Sequence, residues 1–160
     1  MRLPPENLDG YAFCLLGRDW KIRLSDEEKI ALCEQTFTLF LPRKNARERL
    51  VKWIKENAKR ILTDVTERKS KEMGLQFASV SIGSARKRWG SCNSLREIHY
   101  TFRLIYAPKE VVEYVVVHEL CHIRQMNHSQ AFWREVEKYC PDYKQKRAWL
   151  KARSFLLEIF

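Results

Sequence analysis

Close cysteine pairs are missing from this chain. Its five cysteines, Cys14, Cys33, Cys92, Cys121 and Cys140, lie far apart, and no CxxC pair occurs. That excludes a cysteine-based zinc knuckle. The odd number, with no secretory pattern ahead of it, predicts reduced thiols that serve as small buried hydrophobes. Long apolar runs are missing too. No window approaches the ~18 uninterrupted apolar residues of a membrane helix, and Tyr114-Val115-Val116-Val117 fits a buried helix instead. A signal-peptide pattern is also lacking, because Pro4, Pro5, Glu6 and Asp9 interrupt the place of its apolar stretch. These absences predict a cytoplasmic protein with no membrane partner. Repeats, low-complexity tracts and Gly/Ser linkers do not occur, so 160 residues predict one compact unit.

What the chain has is apolar matter and positive charge. Apolar residues make up 45% and aromatics 12%, enough for a packed interior and too much for general disorder. The net charge is +10, from 30 Lys+Arg against 20 Asp+Glu. Such an excess can attract nucleic acid. Here it is spread over residues 43–60, 86–88 and 144–153, and two of these stretches read as helices, whose solvated faces account for it. Charge alone establishes no partner.

Periodicity divides the chain. Residues 11–16 and 20–24 read as two strands around Gly17-Arg18-Asp19, and residues 35–41 alternate as a third strand ended by Pro42. From Asn45 the period changes: Leu50, Trp53, Ile54, Ala58, Ile61, Leu62 and Val65 form one stripe on a long helix that Asn45 can cap and Gly74 can end. Residues 76–82 and 97–105 are strand-like, with a basic turn from Ser84 to Ser94 between them. Pro108 opens a helix over residues 109–126, with Asn127 as a left-handed exit. Ser129 can cap a short helix carrying Phe132, Trp133 and Val136, which Pro141 stops, and Asp142 can cap a last helix containing Trp149, Leu150, Leu156 and Leu157. Strands first, then helix, two strands and helices predict an α+β fold. The expected division is a β-rich segment over residues 1–44 packed on a catalytic part over 45–160.

The informative segment is His118-Glu119-Leu120-Cys121-His122, an H-E-x-x-H match inside the helix expected on other grounds. A spacing of four is just over one helical turn, so both imidazoles face one ion. Glu119 is rotated from the pair and can reach a metal-bound water without ligating the metal, which makes it the candidate general base. A zinc peptidase needs three protein ligands and one open position. His128 follows six residues after His122, and a straight helix would carry it too far, so the chain must bend, with Met126-Asn127 the expected place. Glu135 and Glu137 are rival third ligands. His99 reads as a strand residue rather than a fourth ligand.

Several separated motifs carry a family resemblance: Arg88-Trp89-Gly90-Ser91-Cys92, the His118 to His122 motif, Asn127-His128-Ser129 with Phe132-Trp133, and Pro141-Asp142-Tyr143. In this order they resemble the YgjP-like metallopeptidases, which are similar to the SprT-like zincins. The resemblance spans roughly residues 17–152 and is densest over 86–149. It implies a zincin-like α+β domain with a small mixed or antiparallel sheet, a long backing helix and a metal-binding helix. One Zn²⁺ would be held by His118, His122 and His128, with Glu119 as catalytic base, and the substrate would be a peptide or protein. Cys121 stands where the family more often has alanine, and Gln125 stands where metzincins require glycine.

By similarity to zincins, the strand over residues 97–105 is the expected partner of extended substrate, since main-chain pairing tolerates many side chains. Arg88, Trp89 and Tyr143 are candidate substrate-binding residues, with Arg88 and Tyr143 also candidate oxyanion donors. Trp89 can equally be a core anchor, and Gly90 is expected to permit a tight turn. Two other functions remain open: a DNA-associated zinc protein, by a fold-level analogy with SprT-like proteins, and a zinc-binding scaffold without turnover.

Overall fold

The structure, a computed structural model, describes residues 4–159. Strands β1 (Ala12–Leu15) and β2 (Arg18–Ser25) form a hairpin in which Leu15 pairs with Arg18. The turn is therefore Leu16-Gly17, one residue earlier than expected, and both residues have positive φ, 51° and 81°. Two left-handed residues in a two-residue loop match the twist of the flanking strands, and Gly17 adopts that region without steric cost.

Strand β4 (Thr38–Pro42) runs parallel to β2, and a strand the sequence did not signal, β3 (Ala31–Cys33), pairs antiparallel with β4. The sheet order is β1-β2-β4-β3. Its inner face supplies Phe13, Trp20, Ile22, Leu39 and Leu41 to a hydrophobic cluster that also contains residues of every long helix. The backbone N–H of Leu16 donates to the carbonyl of Ile105 at 2.8 Å, fastening the hairpin to the rest.

Helix α1 (Ala46–Met73) buries Leu50, Ile54, Ala58, Leu62 and Val65, the expected stripe. Removing one such side chain to the β-carbon costs about 2–5 kcal/mol. Asn45 stands before the helix with φ 56° but makes no side-chain cap, a departure from expectation, whereas Gly74 closes it in the left-handed region at φ 62° as expected. On the buried face, Thr66 lies 3.1 Å from the Tyr100 hydroxyl, tying α1 to the second sheet.

That second sheet has the order β5-β7-β6, with β5 (Ser79–Gly83) parallel and β6 (Gly90–Cys92) antiparallel to β7 (Glu97–Thr101). Strand β6 lies inside the segment expected to be only a basic turn. The expected strand over 97–105 stops at Thr101, and Phe102–Tyr106 forms a 3-10 turn, every side chain of which is buried. The Arg103 guanidinium, 2% exposed, donates to the carbonyls of Ile159 and Ser84 at 2.7 and 3.0 Å. It thereby joins the C-terminal segment to the start of the basic loop.

Helix α2 (Lys109–Cys121) is followed by α3 (Gln130–Tyr139) and α4 (Tyr143–Ala152). Ser129 caps α3 by accepting from the Phe132 N–H at 3.3 Å. Asp142 does not cap α4; its carboxylate accepts from Lys146 at 2.8 Å instead. Leu156 and Leu157 lie beyond α4, in the 3-10 turn Ser154–Glu158, and not in the helix. Among the described residues no helix is long and apolar enough to cross a membrane.

Candidate metal centre

Helix α2 anchors the site. Its Val111, Val112, Val115 and Val116 are buried, so its register is fixed and His118 and His122 project together from one side. The helix ends sooner than expected. The N–H groups of His122, Ile123 and Arg124 bond to the carbonyls three residues back, at 3.2, 3.0 and 3.1 Å, tightening the last turn. The chain leaves the helix in a turn over His122 to Arg124 and bends again at Met126-Asn127, the expected place, although Asn127 is not left-handed. The turn and the bend together return His128 beside the helix it has just left.

The ligand atoms of His118, His122 and His128 lie within 4.8 Å of one another, and among the described residues no further His, Cys, Asp or Glu joins them. Nε2 of His128 is 3.1 Å from Nε2 of His118. Nδ1 of His122 is 3.0 Å from the carbonyl oxygen of Gln125. That carbonyl can only accept, so Nδ1 carries the proton and Nε2 keeps its lone pair for a metal. Burial and the neighbouring imidazoles push the pKa of His118 down to about 3, so its ring is neutral and ligation-ready at ordinary pH.

Three imidazoles converging on one point suit a divalent transition-metal ion, and the lack of a fourth protein donor among the described residues suits an open position rather than a sealed structural site. The triad is positioned to bind a metal ion. Glu135 is engaged by Arg124 in an ion pair, and neither Glu135 nor Glu137 belongs to the cluster. His99 stays in β7 with Nδ1 2.9 Å from the Ser81 hydroxyl, away from the triad, as expected.

Aromatic rings fix the imidazoles. Phe132 stacks on His122 at 4.5 Å, and Trp133 stacks on His128 at 5.8 Å. Tyr143 stacks on Trp133 at 5.1 Å and is buried, so this candidate sits behind the ligand layer as a support for Trp133. Glu119, 5% exposed, lies against Gly90 of β6. Burial raises its pKa to about 8, with Arg88 opposing. Gly90 has an ordinary φ and sits within a strand, so its role is not a tight turn. A β-carbon there would lie 2.9 Å from a Glu119 carboxylate oxygen; the glycine makes room for the carboxylate.

The expected pairing strand is corrected as well. Strand β7 is paired on both sides, while β6 forms the sheet edge. Beside it opens a cavity of about 610 Å³ bordered by Arg88, Trp89, Gly90, His118 and Glu119. The candidates Arg88 and Trp89 therefore adjoin the metal centre. Tyr114 and Arg147 border it too, and the sequence reading did not single them out. For Tyr114 the signal was present, because it precedes His118 by one helical turn.

The YgjP-like metallopeptidase domain matches residues 2–153. The chain belongs to the YgjP-like metallopeptidase family. No curated protein matches it. Its fold is similar to that of the metallopeptidase zymogen abylysin of Pyrococcus abyssi, with a TM-score of 0.53 and 24% identity over 57% of this chain and 93% of that one. The jannalysin zymogen of Methanocaldococcus jannaschii gives 0.47 and 18%, over 54% of this chain and 93% of that one. This YgjP-like chain is thus an α+β protein of zincin-like fold from a metallopeptidase family.

Proposed function

We propose that the chain is a zinc-dependent peptidase that hydrolyses peptide bonds with Glu119 as general base. The observation that carries this reading is the convergence of His118, His122 and His128 beside a cavity that Glu119 also borders. Zinc, held by the three imidazoles, would supply Lewis acidity toward a water and a substrate carbonyl. The N₃ donor set favours it over harder ions such as magnesium or calcium.

Glu119 takes a proton from the attacking water as the oxygen–carbon bond forms. It returns that proton to the amine nitrogen as the carbon–nitrogen bond breaks. Gly90 and β6 hold the carboxylate in place, and the outer edge of β6 offers main-chain groups for an extended peptide. Tyr114 contributes a hydroxyl with no hydrogen-bond partner among the described residues, at the cavity wall one turn from His118. It is the proposed donor to the carbonyl oxygen as charge develops there. Residues 4–44 act as a β-rich brace packed on the catalytic part.

The test pairs zinc analysis with digestion of a proteome-derived peptide library, comparing the wild type with Glu119→Gln. Zinc in both proteins and cleavage by the wild type alone is the expected result. Equal cleavage by both would overturn the role of Glu119.

A further inference from the structure

The cavity beside the metal centre carries an unbalanced charge. Lys87 and Arg88 reach it from the loop before β6, and Arg147 and Lys151 reach it from α4. The last two are four residues apart, on one helix face, where like charges repel. Among the described residues none of the four is in an ion pair, although bases close by are: Lys146 bonds Asp142, Arg124 pairs with Glu135, and Arg68 with Glu113. Among the described residues the sole carboxylate on the wall is Glu119, which the proposed mechanism assigns to proton transfer. Among the described residues, four cations from two elements face one opening whose single counter-charge is Glu119, which interacts with Arg88.

The rest of the wall is apolar, with Val115, Leu150 and Leu157 beside Tyr114 and Trp89. Arg147 is also held in advance: its guanidinium carbon lies 4.9 Å from the centroid of Trp133, the ring that stacks on His128. A stacked guanidinium keeps its N–H edge for a carboxylate and loses little freedom on binding one. Apolar walls under a cationic rim suit a carboxylate on a short hydrocarbon stem.

We propose that this cavity is a substrate subsite that binds a peptide carboxylate next to the cleaved bond. The inference rests on the peptidase reading. It makes acidic peptides the preferred substrate class. The carboxylate has two sources, an Asp or Glu side chain within a peptide or the terminal carboxylate of its last residue, and both present the same group to Arg147 and Lys151.

The experiment uses the zinc-loaded full chain and end-blocked peptides taken from library cleavage sites, each made with Glu or with Gln beside the cut bond. A second pair has a free acid or an amide at its end. Fluorescein-labelled copies of all four are also titrated by anisotropy against Glu119→Gln, so binding is read without turnover. A preference of about 10- to 100-fold for the Glu member assigns the subsite to an acidic side chain, and the same preference for the free acid assigns it to a chain end; this is the range of a charge-assisted hydrogen bond. The doubly substituted Arg147→Glu, Lys151→Glu chain should turn the preference toward a Lys-bearing peptide while zinc content and melting temperature hold. Since Arg147 also packs on Trp133, Lys151→Glu alone, at an exposed position, serves as the second variant and should weaken the preference.

Cleavage that ignores Glu against Gln and acid against amide would overturn the proposal, as would a preference that survives charge reversal. Loss of duplex DNA binding in the variants, without peptide discrimination, would also overturn it and assign the cations to phosphates. Absence of all cleavage by the zinc-loaded chain would sink the peptidase reading separately. The anisotropy arm, run on one fixed peptide sequence made in the same four versions, would then decide, with equal binding of acidic and amide peptides overturning the subsite.

Discussion

Gly90 and Glu119 are in such close contact that a β-carbon on the glycine would sit 2.9 Å from the Glu119 Oε1 and 3.0 Å from its Cγ. The edge of the second sheet and the second residue of the H-E-x-x-H motif therefore fix each other. The glycine is needed for space, since its backbone conformation is open to any residue.

Gly90→Ala should displace the Glu119 carboxylate and leave the imidazoles where they are. Misplacing a reacting group by a fraction of an ångström to 1 Å costs up to about 100-fold in rate. The expected outcome is kcat lowered about 10- to 100-fold with zinc affinity unchanged, measured by peptide cleavage and by competition with a chromogenic chelator. Unchanged kcat would show that the contact does not position the carboxylate.

Metal removal should soften the fold locally and lower its melting point. An ion present at about 100 times its Kd stabilises by about 2.7 kcal/mol, which for a domain of this size is roughly 5–10 °C. Chelation should remove that increment from the wild type and leave His128→Ala unaffected, because the variant holds no stoichiometric zinc. His99→Ala should keep the metal. A His128→Ala protein that retains one tightly bound zinc would refute the third ligand.

Tyr114→Phe removes one hydroxyl from the cavity wall without altering the packed ring. If that hydroxyl meets the carbonyl oxygen as it gains charge, kcat should fall by about 10- to 100-fold with KM nearly constant. Steady-state kinetics on one cleavable peptide decide this. Burial raises the phenol pKa to about 12, so the group stays protonated and the loss should be the same from pH 6 to 9.

Thiol reactivity should follow the local environment of each cysteine. Hydrogen bonds from Thr36 hold the Cys33 pKa below its ordinary value, favouring the reactive thiolate. Burial, reinforced by the Glu119 charge, pushes Cys92 up to about 11, and burial pushes Cys121 up to about 12. At pH 8, iodoacetamide should therefore label Cys33 at least about 10-fold faster than Cys92, with mass spectrometry giving the order. Glu119→Gln should speed Cys92, since it removes the neighbouring charge. Equal labelling of Cys33 and Cys92 in the wild type would contradict the burial of Cys92.

The long-range consequences of local patterns were readable in the sequence, and the ends of elements were not. The stripe from Leu50 to Val65 announced α1, and the i, i+4 histidines announced a ligating face, because both follow from helical period alone. The turn at His122 to Arg124 left no sequence signal to read. It arises from 3-10 tightening and from the seating of His122 under Phe132, which are tertiary effects. Strand β6 was hidden for a similar reason: three residues within a basic loop have no periodicity, and β6 exists because β7 offers an open edge. Arg147 gave no signal because its place depends on how α4 crosses α2, which no single-chain pattern specifies.

The most direct measurement is zinc K-edge X-ray absorption on the chain loaded with one equivalent of zinc at neutral pH. The account predicts three imidazole nitrogens at about 2.0–2.1 Å and a remaining light oxygen scatterer from solvent. A sulfur shell near ~2.3 Å, or four protein ligands closing the coordination sphere, would contradict it.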